Sequence, residues 1–232
     1  ARFNAAHFDI VQTLYPEPLP LEEEDLTLVD DQLRLIFMCC HPVLAPEAQV
    51  ALTLRQVCGL TTEEIARAFL VRTPAVAQRI VRAKSRLREA NPVYEVPGRS
   101  ELAGRLQSVL QVIYLLFNEG YVATSGPDLM RETLSAEAIR LGRLLADLLP
   151  DSEVLGLLGL MLLHEARRGA REAAGEIVLL PDQDRSLWSR ELIADGSALV
   201  ERAFATGEVG PYALQGAIAA SHCGAASADA TN

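Results

Sequence analysis

Between Arg72 and Arg88 the chain places Arg72, Arg79, Arg82, Lys84, Arg86 and Arg88, with no acidic residue among them. A guanidinium is a planar fork of donors that can give two hydrogen bonds to the O6 and N7 of guanine, while neighbouring cations hold phosphates. The chemistry these residues can do is nucleic-acid recognition. Gln78, Arg79 and Arg82 are the expected base contacts, and Arg72, Thr73, Lys84 and Arg86 complete the expected DNA-binding set. A charge run of this kind is more often a solvated face. The elements around it decide against that.

Leu60 to Arg88, LTTEEIARAFLVRTPAVAQRIVRAKSRLR, divides into a short helix, a tight turn and a longer basic helix. Thr61 lies three residues before Glu64, the spacing of a capping box, just ahead of Ile65, Ala66 and Phe69. Thr73 reads as the N-cap of the second helix and Pro74 as its first residue, where a missing N–H costs nothing. Leu70 to Arg72 are left as the turn, with Val71 expected to plug the angle between the helices. Val76, Ile80, Ala83 and Leu87 recur at i, i+4, i+7 and i+11 and must face a core, so the basic side chains are turned outward. Cap, turn, proline start and one-sided charge agree on a helix-turn-helix.

Other constellations carry less. Cys39, Cys40 and His41 lack a second ligand pair at finger-like spacing, and adjacent cysteines do not both ligate easily from one helix, so these thiols, like Cys58, are expected to be core residues. His164 and Glu165 have no second histidine at the zincin spacing. No nucleophile with base and orienter emerges, and no phosphate-cradling glycine loop. The expectation is a binding protein rather than an enzyme, with no catalytic residue, metal or cofactor. Two polar groups remain as expected partner sites: Asn118, Glu119 and Tyr121 with Thr124 and Ser125 in a loop after an apolar helix, and Asp182, Asp184 and Arg185 ahead of Trp188. Helix capping is the plainer use of such residues, and Asp184 or Ser186 fits it.

The chain has 232 residues, half of them apolar, enough for a substantial core. Its net charge of −10 argues at first against binding phosphates. The distribution answers this. Residues 1–100 hold 11 Lys and Arg against 13 Asp and Glu, a net of −2, whereas residues 101–232 hold 10 against 18, a net of −8. Four cysteines do not make a disulfide framework and suit a reducing cytoplasm. No long uncharged run suggests a membrane span or an export signal.

Residues 1–31 end in PEPLPLEEEDLTLVDD and read as an acidic, proline-containing linker. A helix is expected over Gln32–Cys40. Asn91 to Gly98, NPVYEVPG, closes the basic helix and marks a domain boundary. Beyond it, helices are expected over about 100–119, 128–149, 152–174, 185–206 and 210–222. Ala136, Ala138, Gly142 and Ala146 suit close helix packing.

Thr61 to Leu87, closing in R-A-K-x-R-L, resembles region 4 of the sigma-70 family, and Ala45 to Leu60 resembles the helix preceding it. Two positions depart from the family pattern: Leu70 where glycine is frequent, and Ala77 where lysine is often found. More broadly, DDQLRLIFMCCHP at 30–42, FNEGYVATSG at 117–126, AEAIRLGRLL at 136–145 and LPDQDRSLW at 180–188 are similar to extracytoplasmic-function (ECF) sigma factors with a long helical extension after region 4. The resemblance implies an all-α chain: a linker (1–31), a region 4 helix-turn-helix (32–95), a helical-hairpin, tetratricopeptide-like extension (99–223) and a tail (224–232). It implies promoter DNA bearing the minus-35 element and the RNA polymerase core as partners, with a regulatory protein at the extension. Nothing at the start resembles region 2, so a fragment beginning in the linker is expected. A helix-turn-helix repressor, or a helical scaffold of anti-sigma type, is the alternative.

Overall fold

A computed structural model describes residues 30–90, 99–121, 131–173, 176–227 and 230–231, with the side chains of 99 and 100 excepted. Residues 1–29 of the expected linker (1–31), the NPVYEVPG stretch, and Thr124 and Ser125 lie outside these residues. Helices dominate the rest. The chain divides into two compact units, residues 1–116 and 117–232.

In the first unit, α1 spans Asp31–Cys39, α2 Pro46–Gln56, α3 Thr62–Ala68 and α4 Thr73–Ala90. Asp30 caps α1, its Oδ1 accepting from Leu33 N at 2.8 Å, so the helix starts inside what composition assigns to the linker. Gln49 of α2 pins the connection back to α1, its Nε2 donating to the carbonyls of His41 and Leu44, both at 3.0 Å. Leu33, Ile36 and Phe37 from α1, Val50 and Leu54 from α2, Ile65 from α3 and Val76 from α4 are buried. Gly59, at φ +74°, makes the turn after α2 that a side chain would strain.

Helix α5, Arg99–Tyr121, crosses the division between the units, which falls at Leu116/Phe117 rather than at the proline-containing stretch before it. Its first part belongs with α1. Arg105 is buried and its Nη1 donates to the Phe37 carbonyl at 3.1 Å.

The second unit continues with α6 (Glu132–Leu148), α7 (Ser152–Glu165), α8 (Arg190–Ala205) and α9 (Pro211–Gly224). Helix α7 is apolar on all sides and packs against α6, α8 and α9. Glycine makes the closest approach possible: a Cβ at Gly156 would stand 2.5 Å from the backbone N of Ala213 in α9. Gly142 and Ala138 are buried as expected of close-packing residues, but Ala136 is exposed.

Helix α7 ends at Glu165, not near 174. A 3-10 turn at Arg168–Ala170 and a two-residue hairpin, Glu172–Ala173 with Glu176–Ile177, follow it. Likewise α8 starts at Arg190, after separate 3-10 turns at Leu180–Asp182 and Arg185–Leu187, because the Ser189 hydroxyl caps it by accepting from Leu192 N. Among the described residues, no helix is long and apolar enough to cross a membrane.

Candidate nucleic-acid interface

The capping box at the start of α3 is complete. Thr61 N donates to Glu64 Oε2 at 2.7 Å and Glu64 N to Thr61 Oγ1 at 3.2 Å. The turn after α3 is held by backbone bonds, Leu70 N to the Arg67 carbonyl at 3.0 Å and Val71 N to the Ala66 carbonyl at 2.9 Å. Leu70 adopts φ +54° and is 92% exposed, a conformation glycine takes without steric cost. Val71 does not plug the interhelical angle; it is exposed, whereas Leu60, Ile65, Ala66 and Val76 are buried.

Helix α4 begins one residue earlier than its sequence suggests. Ala75 N and Val76 N both donate to the Arg72 carbonyl, which places Arg72 at the N-cap, Thr73 in the first turn and Pro74 after it. Proline still costs no hydrogen bond there. Val76, Ile80 and Ala83 are buried and Leu87 half-buried, so the predicted stripe faces the core. Helices α2 and α3 supply the surface it packs on.

The outward face differs from the sequence expectation at one arginine. Gln78, Arg82, Lys84, Arg86 and Arg72 are exposed, and Thr73 is half-buried. Arg79, however, lies only about 60° around the helix from Val76. Its guanidinium sits 5.4 Å from the centre of the Phe69 ring, and its Nη1 is enclosed with no hydrogen-bond partner among the described residues. Arg79 thereby braces α3 against α4.

Two exposed residues missed in the sequence complete the outer strip. Gln78, Val81, Arg82 and Ser85 stand at i, i+3, i+4 and i+7, so they share one helix face. The signal was the same helical period that located the core, read on the opposite side. Val81 is 67% exposed, and an apolar side chain there suits contact with a thymine methyl. Beside the strip, Val43 from the α1–α2 connection and Arg82, Ser85, Arg86, Glu89 and Ala90 line an open cleft of about 600 Å3. Glu89 accepts from the Ser85 hydroxyl at 2.9 Å, the first acid after the basic run.

The cysteines are packing residues: Cys40 and Cys58 are buried and Cys39 half-buried. Burial pushes the Cys40 thiol up to about 12, with Cys39 beside it adding to the shift, so it stays protonated against Thr53. Among the described residues no three His, Cys, Asp or Glu side chains gather to hold a metal.

The two polar groups of the second unit are not both loops. Asn118, Glu119 and Tyr121 belong to the last turns of α5, and Glu119 and Tyr121 are buried. Glu119 stands 3.8 Å from Arg131. Asp182 is exposed, and Asp184 caps the following 3-10 turn by accepting from Ser186 N at 2.9 Å; hydrogen bonding from the Ser186 side chain, and second from this backbone N–H, lowers its pKa. Arg185 Nη1 donates to the carbonyls of His222 and Ala225, tying the end of α9 to this turn. Tertiary packing joins the two groups through His164 and Arg167, which the sequence did not assign to either. Tyr121 meets the His164 ring edge-on at 5.2 Å, Arg167 reaches His164 Nδ1 at 2.9 Å, and the guanidinium groups of Arg167 and Arg185 lie 6.0 and 4.4 Å from the centre of the Trp188 ring.

A short capped helix, a tight turn and a second helix with a buried stripe and a basic outer face define a helix-turn-helix domain of the DNA-reading class. Residues 34–87 match the family model for sigma-70, region 4, a domain of sigma-70 family factors. Residues 105–204 match a family of unknown function (DUF6596). The chain is 49% identical over 195 residues to an uncharacterized protein of Rhizobium meliloti (strain 1021), covering 83% of this chain and 46% of that protein. It thus spans about half the length of this curated relative. No solved structure matches.

Proposed function

We propose that this chain is the promoter-reading part of an ECF-type sigma factor, in which α4 enters the major groove of the minus-35 element while the same domain contacts the RNA polymerase core. The observation that carries this is the outer strip of α4, Gln78, Val81, Arg82 and Ser85, flanked by exposed Arg72, Lys84 and Arg86. Arg82 is the base-contacting arginine, and the flanking cations hold phosphates. The second unit serves as a tetratricopeptide-like regulatory or protein-interaction extension, a role supported by α7 packing on both α8 and α9. Its partner is a regulatory protein, and the setting is cytoplasmic.

The test is binding of the chain to promoter-derived and scrambled duplexes across a salt series, with Arg82→Ala and Lys84→Ala. Arg82→Ala should cost about 1–3 kcal/mol of discrimination. Lys84→Ala should weaken both duplexes alike and make the salt slope shallower by about 1. Equal binding to both duplexes by the wild type at every salt concentration would defeat the proposal.

A further inference from the structure

The second unit is acidic by composition, yet it gathers guanidinium groups around one aromatic pair. Tyr121 stacks on Phe117 at 5.3 Å and meets His164 at 5.2 Å. Around this pair, the Arg171 guanidinium lies 3.9 Å from the Tyr121 ring centre, that of Arg168 lies at 5.9 Å, and Arg167 Nη2 is 2.9 Å from His164 Nδ1. Since a guanidinium only donates, Nδ1 accepts and the proton of the ring is on Nε2. Burial, with Arg167 and Arg171 nearby, pushes the His164 pKa down to about 3, so the imidazole adds no counter-charge and no competing cation at neutral pH.

Carboxylates do not balance this cluster. Glu165 is taken by Arg168, at 2.6 and 2.8 Å, and Glu119 stands by Arg131. Glu172 and Glu176 are exposed in the hairpin. Among the described residues no carboxylate lies within ion-pair distance of Arg167 or Arg171. Arg167 and Arg168 are only 8% and 9% exposed. Buried donors are left over as well: Arg167 Nε, Arg168 Nη1 and the Tyr121 hydroxyl have no hydrogen-bond partner among the described residues. Leaving such groups unsatisfied is costly, and what the guanidinium donors lack is an acceptor. Half-buried Arg171 and exposed Gly169 connect the cluster to the surface.

We infer that the cluster around Tyr121 and His164 is a binding site for a small phosphate-class oxyanion, held by Arg167, Arg168 and Arg171 with the Tyr121 hydroxyl. A tetrahedral oxyanion offers enough acceptor positions for all of these donors and a charge near that of the unpaired guanidinium groups. The site is independent of the DNA-reading helix. Free phosphate and the phosphoryl group of a small organic molecule share this chemistry.

The test titrates the full chain with inorganic phosphate and, separately, with adenosine monophosphate, by calorimetry at constant ionic strength balanced with chloride. Wild type, Arg171→Gln and, as a control, exposed Arg143→Gln on α6 are compared. Saturable binding is expected in wild type and Arg143→Gln, with at least tenfold weaker affinity in Arg171→Gln. Tighter nucleotide than phosphate binding would assign an organic phosphoryl ligand, and equal affinities the free ion. A second readout on the wild type alone is the His164 ring resonance, which should shift on saturation with phosphate. No saturable binding of either probe, affinity unchanged in Arg171→Gln, or a silent His164 resonance would overturn the inference.

Discussion

Replacing Leu70 with glycine should stabilise the helix-turn-helix. Leu70 holds φ +54° in the turn, and with 92% of its surface exposed it has almost no packing to lose. A left-handed conformation costs a residue with a Cβ roughly 1–2 kcal/mol, which glycine avoids. Glycine in turn gives the unfolded chain more freedom, an opposing effect of roughly 0.5–1 kcal/mol. The difference leaves Leu70→Gly more stable by about 0.5–1 kcal/mol. For a unit of this size that corresponds to a rise of roughly 2–8 °C in the unfolding midpoint. The backbone bond from residue 70 N to the Arg67 carbonyl is kept. Leu70→Ala retains the Cβ and the strain, and should stay within about 0.5 kcal/mol of wild type. Chemical denaturation of the three proteins, followed by circular dichroism, separates these values. A Leu70→Gly variant that is less stable than Leu70→Ala would refute the reasoning, because the turn would then need its side chain rather than its backbone angle.

Further outcomes follow from the same structure. Arg79→Ala should lower stability by about 1 kcal/mol through loss of the Phe69 contact, and it should reduce base discrimination less than Arg82→Ala; the opposite ranking in duplex binding would return Arg79 to the base-contacting set. Gly156→Ala should destabilise by about 1–3 kcal/mol, because its Cβ would meet the α9 backbone. Gly104→Ala, with nothing within 4 Å of the new Cβ, should instead stabilise α5 by up to about 1 kcal/mol; thermal unfolding reads both signs. His164 stays neutral in the fold down to about pH 3 but protonates near pH 6.5 once unfolded, so the unfolded chain binds more protons and stability falls as pH drops below about 6.5. His164→Gln should remove that component, flattening the pH dependence by up to about 1 kcal/mol per pH unit between pH 6 and 4, and an unchanged slope would mean that His164 is accessible and protonated in the fold.

Much of the first unit was legible because its signals are local. The Thr61–Glu64 box and the i, i+4, i+7 stripe of α4 each act within a few helical turns, and both stand in the structure as read. The contact Arg79 makes with Phe69 was not legible for a geometric reason: a side chain on the flank of a helix faces either solvent or its neighbour. Val71 was misread, since hydrophobicity alone says nothing of which residues reach an interhelical angle.

In the second unit, composition determined that the chain would be helical and that a long apolar segment would be buried, because α7 has no polar face to offer water. Where that helix stops was decided by tertiary structure. The residues after Glu165 are helix-compatible by type, but Arg168 bonds back to Glu165 and across to Ser135 of α6 at 2.5 Å, and Ser189 N bonds to the Ala166 carbonyl, so the chain turns away. The same folding brings Tyr121, His164, Arg167 and Arg171 together from separate elements. Spacing within one helix is set by local backbone geometry and can be read from the sequence. Proximity between helices is set by packing and loop closure, which no local pattern encodes.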